Sequence, residues 1–274
     1  MVDSHQHFWD PAALNWDAPP APIFHRAFLP ADLLPEIQAA GVTHTILVQG
    51  YPQTAEANRW FFDLANSAKH VRGVVAWMDL LNVQDAAQTL DQLQSEPKFV
   101  GIRHIVTDEP DENWILRDSV ISSLGELARR GVCFDMVVKP SHLRKVQTVM
   151  EKLPNLRMVI DHLGNPGVAE ASPDWIERLT DLARFPAAYC KLSGVNWTQR
   201  TPSQMRPFLR QIIDAFGWDR IMFGSDWPVC LLNGDYAQVW RATHAALGNC
   251  TSEQRNKVFG TNALNFYWPR LSTK

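Results

Sequence analysis

Val2-Asp3-Ser4-His5-Gln6-His7 opens the chain, and this stretch decides the fold. It is a short β-like run that ends in histidines. An open, doubly wound sheet usually follows its first strand with a glycine-rich phosphate loop, and no G-x-G-x-x-G stands here. Outward from this run the same pattern recurs, with strand-like stretches at 2–7, 44–50, 72–78, 99–105, 132–138, 157–162, 188–193 and 220–226. Several are nearly continuous apolar runs rich in Val and Ile, as strands covered on both faces should be. Helical patterns fill the intervals at 31–40, 55–70, 84–95, 117–130, 141–153, 173–185, 203–216 and 235–247. Pro30, Pro173 and Pro202 mark helix starts, and Gly41, Gly131 and Gly217 follow helix ends. Eight βα units in order predict an α/β protein built as one closed (β/α)8 TIM barrel. A single domain over 1–274 is expected, with a C-terminal helical extension at 251–268.

The bulk composition agrees. A chain of 274 residues suits one such barrel, and 46% hydrophobic residues can fill one large core. A net charge of −3, with no run of Lys and Arg, argues against nucleic acid as a partner. No stretch is long and apolar enough to cross a membrane. The first residues have neither the basic nor the apolar region of a signal peptide. Cys133, Cys190, Cys230 and Cys250 form no C-x-x-C pair, so reduced thiols in the cytoplasm are expected. Monomer and homodimer are equally compatible with the sequence.

In a barrel the chemistry sits at the C-terminal ends of the strands. His5 and His7 end the first strand two residues apart, so both imidazoles project to one face. H-x-H alone fits a Zn²⁺ site and a pair of solvent-exposed histidines equally well. His162 ends the sixth strand in Ile160-Asp161-His162-Leu163-Gly164, and Asp226 ends the eighth in Phe223-Gly224-Ser225-Asp226-Trp227-Pro228. Barrel closure makes the first and eighth strands neighbours, so Asp226 is expected to approach His5 and His7, and His162 lies at the same end of the sixth strand. Arg103, near the end of the fourth strand, either polarises a carbonyl or pairs with a strand-end carboxylate. Lys191 on the seventh strand either points into the mouth or is a buried cation paired with an acid. Asp135 lies inside the fifth strand and needs a partner, whereas His104 is expected to face the helices. Trp9, Trp16, Trp77, Trp114, Trp197 and Trp227 fall in or just before βα loops, where indole faces can stack on a cyclic, sugar-like substrate.

Taken together, these segments resemble the amidohydrolase superfamily. The likeness runs through His5-Gln6-His7-Phe8-Trp9, Asn15-Trp16, Phe28-Leu29-Pro30-Ala31-Asp32-Leu33, Gly101-Ile102-Arg103, Asp161-His162-Leu163-Gly164, Lys191-Leu192-Ser193-Gly194 and Phe223-Gly224-Ser225-Asp226-Trp227-Pro228. It is to the amidohydrolase-2 branch and its sugar lactonase group, which includes L-fucono- and L-rhamnono-lactonases. A binuclear member would add a bridging Lys or Glu on the fourth strand and a histidine on the fifth. Arg103 and His104, then Asp135 and Lys139, do not reproduce that set. The resemblance therefore implies one divalent ion, best zinc, on His5, His7, His162 and Asp226, or metal-free catalysis. It implies hydrolysis of a small cyclic lactone, with Asp226 taking the proton of the attacking water, His162 positioning it and Arg103 stabilising the oxyanion. Trp9, Trp16, Trp114, Trp197, Trp227 and Lys191 would bind the substrate. The alternatives are a metal-dependent decarboxylase of an aromatic or unsaturated acid, and a non-catalytic sugar-acid-binding barrel.

Overall fold

The computed structural model of the chain describes residues 1–166, 173–196 and 200–268. Its strands are β1 (Val2–Gln6), β2 (His44–Val48), β3 (Val71–Ala76), β4 (Phe99–Ile105), β5 (Cys133–Val137), β6 (Met158–Ile160), β7 (Ala188–Leu192) and β8 (Ile221–Phe223), parallel and paired in sequence order. Between them run α1 (Pro30–Ala39), α2 (Ala55–Ser67), α3 (Val83–Gln94), α4 (Asp118–Arg130), α5 (Leu143–Lys152), α6 (Pro173–Asp181) and α7 (Pro202–Phe216), with α8 (Tyr236–Leu247) after β8. This is the (β/α)8 barrel that the sequence predicts.

Local chemistry sets the helix ends. Thr201 caps α7 by accepting from the Gln204 N–H, while Gln204 Oε1 accepts from the Thr201 N–H at 2.8 Å. Gly131 ends α4 in the left-handed conformation, at φ 68°.

The ends of the sheet meet at a seam between β1 and β8. The His7 N–H donates to the Trp227 carbonyl at 2.7 Å, and the Asp226 N–H donates to the His5 carbonyl at 2.8 Å. Ser4 Oγ adds a bond to the Phe223 carbonyl at 2.6 Å.

The lumen is filled in tiers. At the floor, Val2, Ile46, Val75, Val100, Val159 and Met222 pack together. The C-terminal extension, α9 (Ser252–Asn256) and α10 (Asn262–Tyr267), covers this end with Ala263, Phe266 and Tyr267. Asn262 Nδ2 ties the extension to the Trp218 and Ile221 carbonyls, both at 2.7 Å. A shell of apolar side chains between strands and helices forms the larger core. All four cysteines are free. Among the described residues, no helix is long and apolar enough to cross a membrane.

Candidate active site

Two register shifts aim the key side chains. Val2 and His5 both face the lumen, although residues three apart in a regular strand face opposite ways. The β1–β2 register advances three residues on β1 (Asp3 to Gln6) for two on β2 (Thr45 to Leu47). This bulge turns His5 and His7 inward, while Asp3, before it, points out to Tyr236 of α8. A similar shift in β4, opposite Val74 and Val75, separates lumenal Val100 from lumenal Arg103.

His162 and Asp226 are placed by strained backbone. Their φ values are 55° and 59°, a region non-glycine residues seldom enter, and such strain gathers at functional sites. Neighbouring glycines make room. A Cβ on Gly194 would lie 2.5 Å from His162 Nδ1, and one on Gly224 would lie 2.5 Å from His5 Cβ.

The four expected residues converge. His5 Nε2 and His7 Nε2 are 3.1 Å apart, and Asp226 Oδ1 lies 3.6 Å from the former and 3.3 Å from the latter. Donor atoms of His5, His162 and Asp226 all lie within 4.8 Å of one another. These three donors are close enough to be shared by a single divalent ion, and His7 adjoins the group through His5 and Asp226 without belonging to it. Outer hydrogen bonds orient two rings, since His7 Nδ1 donates to the Val48 carbonyl at 2.7 Å and His162 Nδ1 meets Ser193 Oγ at 2.9 Å. Burial lowers the pKa of His162, and that of His5 well below the imidazole value, which favours neutral rings. Burial opposes ionisation of Asp226, but His162, His7 and His5 outweigh it and hold the carboxyl below the usual range.

Beneath this group lies a fully buried charge ladder. Lys191 Nζ donates to Asp135 Oδ2, and its distances to Asp161 Oδ1 and His5 Nδ1 are both 3.1 Å. Asp135 Oδ2 also accepts from Tyr267 at 2.6 Å. Burial pushes Asp135 up to about 6 against the pull of Lys191. Asp161 feels the same burial, yet Lys191, His5 and Arg103 keep it well below the usual range. Its Oδ2 accepts from Arg103 Nε at 3.1 Å, while Arg103 Nη1 donates to the Gln49 carbonyl at 2.5 Å. Arg103 Nη2 has no protein partner among the described residues, and the residue lines the cavity above.

That cavity has a volume of about 350 Å³, the low end for small-molecule sites. His7, Arg103, His162 and Asp226 line it, with aromatic walls from Trp9, Trp16, Phe24 and Tyr51. Trp16 stacks on Tyr51 at 5.7 Å and packs edge-on against Trp9 at 6.0 Å.

Three residues expected to contact substrate do not reach it. Lys191 has no exposed surface and is the buried, acid-paired cation instead. Trp114 folds under the βα loop to stack on His104 at 4.0 Å, and His104 Nε2 meets Glu109 Oε1 at 2.8 Å. Trp227 turns its ring away into Phe8 and Phe28 while its backbone makes the seam. Trp197 lies outside the described residues. Sequence reasoning missed Tyr51 and Asp161. Tyr51 stands directly after the second strand, a position that could have drawn notice, and Asp161 sits inside the quoted Asp161-His162 motif.

A (β/α)8 barrel with H-x-H on β1, a histidine after β6 and an aspartate after β8 defines an amidohydrolase. The model of the amidohydrolase family matches residues 2–268, and the chain belongs to that family. An L-fucono-1,5-lactonase of Burkholderia ambifaria is 35% identical, covering 97% of this chain and 94% of its own. Another L-fucono-1,5-lactonase, of Burkholderia multivorans, is 30% identical over 97% of this chain and 95% of its own. The crystal structure of a Burkholderia multivorans amidohydrolase with bound zinc superposes with a TM-score of 0.86 at 29% identity, covering 97% of this chain and 98% of that one. A 2,6-dihydroxybenzoate decarboxylase from Rhizobium (TM-score 0.74, 97% of this chain, 98% of that one) is 16% identical and shares the fold alone.

Proposed function

We propose that this enzyme opens the ring ester of a sugar lactone with water and releases the aldonic acid. The observation that carries the proposal is the Asp226 carboxyl, ringed by His5, His7 and His162, with Arg103 lining the same aromatic-walled cavity. The curated lactonase relatives support the substrate class.

In this mechanism Trp9, Trp16 and Tyr51 hold the ring, burying its C–H faces against their π surfaces. His162 positions the attacking water. As the water oxygen bonds to the carbonyl carbon, its acidity rises and Asp226 takes the proton. Arg103, clamped by Asp161 and Gln49, directs its remaining donors at the oxyanion, where pre-set charge costs no reorganisation. When the carbonyl reforms, the ring C–O bond breaks and the departing oxygen recovers the proton from Asp226. Because that oxygen stays tethered to the product, no separate strong acid is needed. His5, His7, His162 and Asp226 would hold one divalent ion, zinc best matching their N and O donors, and when bound it supplies Lewis-acid polarisation of the carbonyl. The proposal extends to a single domain over 1–274 working in the cytoplasm with its four thiols reduced.

A pH-indicator screen of γ- and δ-aldonolactones, on chelated and zinc-supplemented protein, tests it. Acid release from at least one lactone is expected. Silence across the panel, or CO₂ release from an aromatic acid in its place, overturns the substrate class.

A further inference from the structure

The turn that delivers His162 carries one more side chain to the cavity. His162, Leu163, Gly164 and Asn165 have φ values of 55°, 56°, 73° and 47°, four left-handed residues in succession. Side chains other than asparagine and aspartate rarely enter this region, and then singly, so an unbroken run is costly. Packing from both sides holds it. Leu163 is buried and its carbonyl accepts from Trp175 Nε1 of α6 at 2.9 Å, while a Cβ on Gly164 would lie 3.2 Å from Leu143 of α5. The Asn165 N–H donates to the His162 carbonyl at 2.8 Å, which closes a turn of three residues. At that pitch residues i and i+3 eclipse, so His162 and Asn165 stand one above the other, and both line the cavity.

The mechanism gives His162 a task and Asn165 none. Two other wall residues spend their polar atoms on protein. The Tyr51 hydroxyl donates to Asp108 Oδ2, and Trp9 Nε1 donates to the Arg26 carbonyl at 3.1 Å. The Asn165 side chain is exposed, and its amide has no partner among the described residues. A primary amide offers two donors and an acceptor. A hydroxyl gives one hydrogen bond and takes others, and an amide meets both demands from a single side chain.

Resting on the lactonase reading above, we propose that Asn165 is a specificity-determining residue that recognises one ring hydroxyl of the lactone. The strained turn sets its distance from His162, so one end of the turn serves the reacting carbonyl while the other grips the ring away from it. A merely structural reading makes Asn165 a left-handed turn residue with no part in recognition.

The test pairs a side-chain deletion with a functional-group deletion. Steady-state kcat/KM is measured on the aldonolactone that the unaltered enzyme opens fastest and on each of its monodeoxy analogues. Asn165→Gly removes the amide, and glycine adopts the left-handed conformation freely, so the turn and His162 are retained. On the parent lactone this variant is expected to lose about 3–10-fold in kcat/KM. One deoxy analogue is expected to cost the unaltered enzyme a similar factor, and Asn165→Gly is expected to treat that analogue and the parent alike. Asn165→Asp keeps the turn preference and an acceptor but no donor, and is expected to retain part of the discrimination. An equal loss by Asn165→Gly on the parent and on every analogue, or no loss on any, overturns the assignment and leaves the lactonase reading standing. If the unaltered enzyme opens no lactone, both fall.

Discussion

The two ends of the barrel lumen use the same residue types in opposite ways. At the floor and in the tier above it, Asp135, Lys191, Tyr267 and Asp161 are fully or almost fully buried and joined to one another. At the mouth, Asp226, His162 and Arg103 border a cavity, and Arg103 keeps there a nitrogen with no partner among the described residues. A charge whose partners are all protein contributes to position and stability; one with an unmet hydrogen-bonding capacity facing a cavity is available for chemistry. Depth along the tube, rather than residue type, separates the two.

Asp226→Asn tests the division most severely. It keeps the shape and removes the base, so kcat is expected to fall by about 10²–10⁴-fold in steady-state lactone assays, with the fold intact by circular dichroism. Near-normal kcat, with chemistry rate-limiting, would remove Asp226 from the proton transfer. Tyr267→Phe makes the converse change at the floor. Losing its bond to Asp135 is expected to cost about 1–2 kcal/mol in denaturant unfolding, with kcat at saturating zinc unchanged. A kcat loss without a stability loss would erase the distinction between the ends. Trp16→Ala at the cavity wall is expected to raise KM by roughly 2–10-fold and leave kcat alone, as removal of uniform binding should.

The smallest effect lies outside the lumen altogether. His244 on α8 stacks on Phe259 at 3.9 Å and accepts from Arg255 at 2.7 Å. Partial burial first, then Arg255, lowers its pKa from 6.5 to about 4. Between those values the unfolded chain binds more protons than the folded one, so this contribution is complete above pH 6.5 and is lost as pH falls towards 4. His244→Gln is expected to flatten the pH dependence of unfolding in that window without altering lactone turnover.

The order of these elements could be read from the chain, because a strand covered on both faces has to be apolar and the helices between must be amphipathic. The approach of Asp226 to His5 and His7 followed from barrel closure, and the nearness of His162 from its place at the same end of the sixth strand. Depth could not be read. Lys191 and Arg103 both occupy lumenal positions near strand ends, but the first is sealed in and the second lines the cavity. Arg103 follows a register shift in β4, whereas β7 pairs without one, and a register shift is a relation between two strands with no mark in either alone. The tryptophans failed for a related reason. A loop position places an indole near the mouth, while the turn around it decides whether the ring faces in, as for Trp9, or away, as for Trp227.

The β1–β8 seam couples closure of the barrel to binding in its mouth. The backbone amides that join the first and last strands belong to His7 and Asp226, whose side chains also border the cavity. Whatever those side chains grip fastens the seam like a clasp, and it favours the closed barrel over the open chain in proportion to its concentration. Resistance of the seam to opening, read by limited proteolysis, is therefore expected to rise with the concentration of any ligand that binds the folded barrel.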